Sequence, residues 1–108
     1  MKDHKIYLHH ILDSIEEIES FLKDIDWEDT KTQRAIERCL EIIGEAANKL
    51  PNSFYEKFDQ IEWDLIVGMR HKIIHDYFSI DHNIIQTTVE EDLPILKQQI
   101  ANIINILN

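Results

Sequence analysis

The chain contains few of the residues that interrupt helices. Its 108 residues include only two glycines and two prolines, which leaves little material for hairpin turns or barrel corners. Isoleucine and leucine dominate the apolar residues, and the apolar fraction is ordinary for a globular protein. This composition favours an all-α fold.

Cysteine and long apolar runs are also scarce. The single cysteine, Cys39, has no second cysteine with which to form an internal disulfide, so a reducing compartment is expected. No stretch reaches the roughly 18 apolar residues of a membrane-spanning helix, and the N-terminus lacks the apolar run of a signal peptide. We therefore expect a soluble, cytoplasmic protein without a membrane association.

Positively charged residues are also few relative to acidic ones. Eleven lysines and arginines stand against 21 acidic residues, and the formal net charge is -10. Because general affinity for nucleic acid comes from many distributed lysine and arginine contacts with phosphate, the composition argues against broad nucleic-acid binding. A role on RNA would need a local positive site or a partner that brings the substrate.

The apolar residues recur at alternating steps of four and three, which is typical of helices in a bundle. The length suits a single domain, 1–108, although at this size a dimer interface would add useful burial. We predict an up-and-down bundle of about five helices. Their predicted ranges are about 5–25, 30–50, a short aromatic segment at 53–58, about 64–79, and 81–107.

Four residues define details of these helices. Thr30 and Gln33 have the spacing of a capping box, which predicts that the second helix begins at Thr30. Gly44 lies inside that helix at a cost of about 1 kcal/mol relative to alanine, so we expect another helix to approach closely there. Pro94 lies inside the last segment. The helix is therefore either kinked near Asp92 or begins anew with Pro94 in its first turn.

The segment Gly68–Phe78 (GMRHKIIHDYF) holds most of the basic character of the C-terminal half. Arg70, His71, Lys72 and His75 lie within six residues of one another, which indicates a local anion site in an acidic chain. At about 100° per residue, Arg70 and His75 are roughly 140° apart around a helix. Both side chains could contact one phosphate only if that phosphate lay in a groove beside the helix. A two-fold dimer would bring a second arginine and a second histidine to the same groove.

This set of side chains fits the cleavage of RNA. The reaction needs a base for the 2′-hydroxyl, an acid for the leaving oxygen and positive charge on the non-bridging oxygens. A histidine such as His75 can transfer protons near neutral pH. The planar guanidinium of Arg70 matches phosphate and stays charged. The set requires no metal and no cofactor.

Other interpretations of the histidines stay open at this point. An arginine and a histidine five residues apart also occur by chance on solvated helices. His71 and His75 have the spacing of two zinc ligands on a helix. However, no glutamate follows His71 as in the metalloprotease motif, and the sequence indicates no third ligand. Among the remaining histidines, we expect the pair 9–10 and His82 to be surface or capping residues.

The sequence resembles the HepT-like toxins of the HEPN superfamily, whose signature is Arg-x4-His followed by x-Tyr. Arg70, His75 and Tyr77 match this signature without departure. The resemblance extends over most of the chain in three further segments, which occur in the family's order. These are Glu37-Arg-Cys-Leu-Glu-Ile-Ile-Gly-Glu-Ala-Ala, Ile61-Glu-Trp-Asp and Asp92-Leu-Pro.

The resemblance implies a dimeric, metal-independent ribonuclease toxin of a toxin–antitoxin system. Arg70 and His75 of both subunits would be its catalytic residues, in a cleft at the dimer interface. It also implies an antitoxin partner, a minimal nucleotidyltransferase that transfers AMP from ATP to Tyr77. An AMP group there would fill the pocket for the RNA backbone and cancel its charge. His71 and Asp76 would have supporting roles.

The acidic net charge fits a narrow RNA target, for which tRNA is a candidate, better than broad affinity for RNA.

Two further functions compete with the toxin. The first competing function is a non-catalytic partner subunit that binds a substrate or nucleotide for a minimal nucleotidyltransferase, although such an adaptor does not need both Arg70 and His75. The second is a metal protein that uses His71 and His75.

Overall fold

The computed structural model describes residues 4–75 and 79–108, and these residues form helices joined by short connections. The described residues contain no strand, so the all-α prediction is confirmed. The elements are α1 (Lys5–Leu22), α2 (Thr30–Asn48), α3 (Asn52–Lys57), α4 (Trp63–His75), α5 (His82–Thr87), a π-helical turn (Thr88–Asp92) and α6 (Leu93–Leu107).

Helix α2 lies between two neighbours, because α1 packs on one of its sides and α4 on another. Helix α6 packs against α1. Among the described residues, the largest fully buried side chains come from α1, α2 and α6, and they follow the four–three spacing of the sequence: Leu8, Ile11, Ile15, Ile18, Ile36, Leu40, Ile43 and Ile100. Within the described part of the chain, no helix is long and apolar enough to cross a membrane.

The first helix ends earlier than its apolar spacing predicts. Leu22 is its last residue, and Lys23 already has an extended backbone with ψ of 118°. Asp24 follows with φ of 57°, in the left-handed region that an aspartate tolerates better than most residues. The prediction of a helix up to Ile25 was therefore wrong by three residues, although Ile25 still packs against the core.

The second helix begins at Thr30 as predicted, but its cap is a different residue. Asp29 is the N-cap, and its Oδ2 accepts hydrogen bonds from the backbone N–H of Thr32 at 3.0 Å and from its hydroxyl at 2.7 Å. The side chain of Gln33 instead donates to the carbonyl of Trp27 at 2.8 Å. The Thr30–Gln33 capping box was wrong, because the aspartate one residue earlier supplies the acceptor that the helix start needs.

The structure combines the two alternatives for Pro94. The helical backbone runs from α5 through the π-helical turn into α6, which has Pro94 in its first turn. The N–H of Leu93 donates to the carbonyl of Thr88, five residues earlier. A proline clashes with the carbonyl four residues before it and has no N–H to donate. The wider turn just before Pro94 accommodates both effects without ending the helix.

Candidate functional site

Helix α4 carries the basic segment, and aromatic residues fix its beginning. The indole N–H of the buried Trp63 donates to the carbonyl of Phe58 at 3.0 Å. The Trp63 ring lies 5.4 Å from the ring of Tyr55, whose hydroxyl donates to the carbonyl of Ala47 at 2.7 Å. Helix α3 therefore ties the end of α2 to the start of α4.

Helix α4 meets α2 at Gly44. A Cβ atom on Gly44 would lie 2.7 Å from the Cβ of Arg70, 3.0 Å from the carbonyl oxygen of Ile66 and 3.1 Å from the backbone nitrogen of Arg70. Real Cβ atoms essentially never come within 3.0 Å of such neighbours, so only glycine allows this approach. The close approach predicted at Gly44 is confirmed, and the residue that it admits is Arg70.

Two buried side chains hold Arg70 at this contact. Ile66, one turn earlier on α4, and Ile73, one turn later, are both buried in the core. The side chain of Arg70 itself is 43% exposed, and its Nε lies 4.0 Å from Oε2 of Glu45 on α2. Arg70 thus has a backbone fixed by packing and a guanidinium that solvent and solutes can reach.

His71 and His75 lie on the exposed side of α4. Their rings are 4.3 Å apart, centroid to centroid, at an angle of 39°, as expected for residues four apart on one helix face. Lys72 and His75 occupy the last turn of the helix, where positive charge is favourable because the carbonyl end of the helix dipole is negative. Arg70 lies on the α2 side, so the two predicted catalytic residues occupy different sides of the helix.

The remaining predicted site residues lie outside the described part of the chain. Asp76 and Tyr77 follow directly after His75 and fall in the gap between residues 75 and 79. Among the described residues, no group of three histidine, cysteine or acidic side chains is placed to hold a metal ion. The catalytic roles of Arg70 and His75 therefore remain a prediction. The structure gives their positions on α4, their exposure and their neighbours.

Three of the other histidines occupy surface positions. His9 and His10 are exposed on α1. His82 is the first residue of α5, and its Nδ1 lies 3.9 Å from the buried carboxylate of Glu37. That carboxylate also accepts a hydrogen bond from Arg34 at 3.0 Å.

Sequence reasoning did not identify Glu45 as part of this site. Its position directly after Gly44 was the available signal, because a glycine that admits another helix brings its own neighbours close to that helix. Which helix approaches Gly44 could not be deduced from the sequence, and so Glu45 could not be paired with Arg70.

Comparison with known proteins shows the family to which a chain with this basic segment on α4 is similar. The model of the HepT-like family, described as "Ribonuclease HepT-like", matches residues 11–103. The chain belongs to the HepT-like ribonuclease family. The match covers most of the chain and spans α2 and α4, so the resemblance proposed from the motif is confirmed.

Curated relatives cover nearly the whole HepT-like chain. A protein of Thermococcus cleftensis named "Probable ribonuclease HepT" is 45% identical over 100 residues, which is 89% of this chain and 91% of the relative. A protein of Caldanaerobacter subterraneus subsp. tengcongensis is 41% identical over 108 residues, 96% of each chain. A protein of Methanocaldococcus jannaschii is 37% identical over 107 residues, 95% of this chain and 92% of its own. The last two are provisionally named as RNases. No solved structure matches the chain.

Proposed function

We propose that this HepT-like protein is an endoribonuclease toxin that cleaves RNA with Arg70 and His75 and needs no metal ion for the chemical step. The observation that carries the proposal is the arrangement on α4. A guanidinium with a fixed backbone and a solvent-exposed imidazole lie on one short helix of a chain that belongs to a ribonuclease family.

The proposed reaction uses the 2′-hydroxyl of the RNA as its nucleophile. The 2′-oxygen attacks the adjacent phosphorus and gives its proton to a base, while the bond from phosphorus to the 5′-oxygen breaks and that oxygen receives a proton. The products are a 2′,3′-cyclic phosphate and a free 5′-hydroxyl. Arg70 neutralises the charge that develops on the non-bridging oxygens, which is commonly a large contribution to catalysis.

His75 supplies one of the two proton transfers, and a second copy of the chain supplies the other. We propose a homodimer in which both copies of α4 face a shared cleft. Support comes from Gly68, an exposed residue inside α4 around which an added Cβ would meet nothing within 4 Å. Gly68 precedes His75 by two helical turns on the same face. Leu65, one turn before Gly68, leaves 67% of its surface exposed.

The test of the catalytic residues is RNA cleavage by the purified protein in the presence of a chelator. Native protein is compared with Arg70→Ala and His75→Ala, using total RNA and tRNA as substrates. We expect loss of cleavage of at least about 100-fold in each variant, the usual scale for a group that transfers a proton or stabilises transition-state charge. Arg38→Ala and His9→Ala are the matched controls, because both residues are exposed and lie on other helices.

Two results would contradict the ribonuclease proposal. Native protein that leaves both RNA pools intact, and whose mass shows no added AMP, would favour the non-catalytic partner subunit. Equal loss of cleavage in the Arg38 and His9 controls would show that the effect of the α4 variants is not specific. Circular dichroism of each variant confirms that the helices are intact.

The proposed dimer is tested by sedimentation equilibrium. Leu65→Glu places a charge on the exposed face of α4 and should shift the protein towards the monomer. Ile95→Glu is the matched control, since Ile95 is 60% exposed but lies on α6. An unchanged association constant for Leu65→Glu would remove this face of α4 from the dimer interface.

We also propose that a minimal nucleotidyltransferase antitoxin silences the enzyme by transferring AMP from ATP to Tyr77. Mass spectrometry after incubation with the cognate partner and ATP should find AMP on native protein and none on Tyr77→Phe. Tyr55→Phe should still accept AMP, because the Tyr55 hydroxyl is already engaged with the carbonyl of Ala47. AMP on Tyr77→Phe would contradict Tyr77 as the modification site.

A further inference from the structure

We propose that Glu45 is a positioning residue, whose carboxylate faces Nε of Arg70 and leaves the terminal amino groups of the guanidinium for the RNA phosphate. The inference rests on the proposed ribonuclease function. It concerns a residue on α2, outside the basic segment of α4.

The backbone of Arg70 has little freedom to move. Its Cβ and backbone nitrogen lie against Gly44, and the buried side chains of Ile66 and Ile73 flank it on α4. What remains free is the rotation of the long arginine side chain, which is 43% exposed. A single charged side chain on α2 close to the contact between Gly44 and Arg70 is therefore enough to bias the orientation of the guanidinium.

Glu45 has the position for this role because it directly follows Gly44. Its Oε2 lies 4.0 Å from Nε of Arg70, a distance at the outer limit for an ion pair and longer than a direct hydrogen bond. A guanidinium presents its donors as a planar fork, and a carboxylate near Nε leaves the two terminal nitrogens available. Those nitrogens can then bind two oxygens of one phosphate.

The Glu45 carboxylate contributes to orientation and not to the stability of the fold. Its side chain is 51% exposed and that of Arg70 is 43% exposed. Ion pairs between such exposed groups contribute little to folding stability because solvent screens them. Removal of the Glu45 charge should therefore leave the thermal midpoint unchanged while it alters how Arg70 meets the substrate.

Removal of the charge has two opposite effects on the enzyme. Without its partner, the positive charge of Arg70 becomes less compensated and attracts RNA more strongly. At the same time the guanidinium samples more orientations, and the fraction that matches the transition state falls. The signature of a positioning role is thus a lower kcat together with an unchanged or lower KM.

The experiment compares Glu45→Gln, Glu45→Asp and Glu41→Gln on a fluorescent RNA oligonucleotide that the native protein cleaves. We expect Glu45→Gln to lower kcat about tenfold, a modest effect of misplacement, without raising KM. Glu45→Asp keeps the charge and should recover part of the loss. Glu41→Gln is the matched control, because Glu41 lies one turn earlier on α2 and pairs with Arg38 at 3.2 Å.

Several outcomes would overturn the inference. An unchanged or increased kcat in Glu45→Gln would show that the carboxylate does not position Arg70 for catalysis. An equal loss in Glu41→Gln would show that any lost negative charge on α2 has this effect. A lower thermal midpoint that accompanies the loss in Glu45→Gln would indicate a structural role instead.

A second measurement separates this inference from the proposed function. The Nε–H signal of Arg70 can be observed by NMR and assigned with Arg70→Lys. Glu45→Gln should shift this signal and accelerate its exchange with water, while Glu41→Gln should leave it in place. If the native protein cleaves no RNA, the proposed function fails and this signal still decides the pairing. A signal unaffected by Glu45→Gln would overturn it.

Discussion

Gly44 and Arg70 are in contact, so closely that a methyl group on Gly44 would lie 2.7 Å from the Cβ of Arg70. The absence of a side chain on α2 thus determines how near α4 can come. Arg70 is the proposed phosphate-binding residue. Its distance from α2 therefore depends on Gly44, which contributes no functional group to the site.

Substitution of Gly44 tests this dependence. Gly44→Ala gains about 1 kcal/mol of helix propensity, but the new methyl group meets backbone atoms of α4, which cannot rotate away. Overpacking of this kind costs about 1–3 kcal/mol. We expect a net loss of up to about 2 kcal/mol in the free energy of unfolding in urea, together with slower RNA cleavage. Native stability and native cleavage in Gly44→Ala would contradict the close contact.

Gly68 is the matched control, because a Cβ added there meets nothing within 4 Å. Gly68→Ala should increase the free energy of unfolding by about 0.5–1 kcal/mol, since alanine has less backbone freedom to lose in a helix. In the proposed dimer the same methyl group lies in the interface, so the association constant should fall. Urea unfolding at low protein concentration and sedimentation separate the two effects. A decrease in protomer stability would contradict the open surroundings of Gly68.

Asp29 should make the stability of α2 dependent on pH. Hydrogen bonds from the hydroxyl and the backbone N–H of Thr32 lower the pKa of Asp29 from its ordinary value of 3.8. The carboxylate therefore stabilises the folded state fully above pH 3.8, and this contribution is lost as the pH falls through the lower folded-state pKa. Asp29→Asn retains an acceptor for the cap and should remove this part of the pH dependence.

Asp29→Ala removes the cap itself and should lower the thermal midpoint at neutral pH more than Asp29→Asn does. Thr30→Ala serves as the control, because Thr30 was the capping residue expected from the sequence and Asp29 holds that role. A larger loss in Thr30→Ala than in Asp29→Ala would contradict the assigned cap.

Cys39 should be unreactive in the folded protein. Burial, followed by the charge and hydrogen bond of Glu17, raises the pKa of the thiol from 9.0 to about 11. Because the thiolate is the reactive form, a disulfide reagent at pH 8 should modify Cys39 only after unfolding. Rapid modification of the native protein would contradict the burial of this side chain.

The same raised pKa affects stability in alkaline solution. Well below pH 9 the thiol is neutral in both states and has no effect on the equilibrium. Between pH 9 and about 11 the unfolded chain loses its proton first, so stability falls as the pH rises. Cys39→Ala should show a smaller alkaline loss of stability than the native protein.

The sequence was sufficient to predict the helices that follow local rules, but not the contacts between them. Apolar spacing predicted the core of α1 and α2, and Gly44 predicted a close approach of helices. The partner of Gly44 depends on how α4 packs across the bundle, which is a non-local property. The error at Thr30 arose because Asp29 and Thr30 are both acceptable caps, and only the backbone geometry decides between them.

The π-helical turn from Thr88 to Asp92 has a consequence for the length of the chain. A π turn accommodates one residue more than an α turn over nearly the same rise. Deletion of one residue there, combined with Pro94→Ala, should leave a continuous α-helix with α6 still facing α1. The same deletion inside α2 would rotate every later residue of that helix by about 100° and turn buried side chains towards solvent. Homologous chains that differ by one residue in this region can therefore share the same bundle.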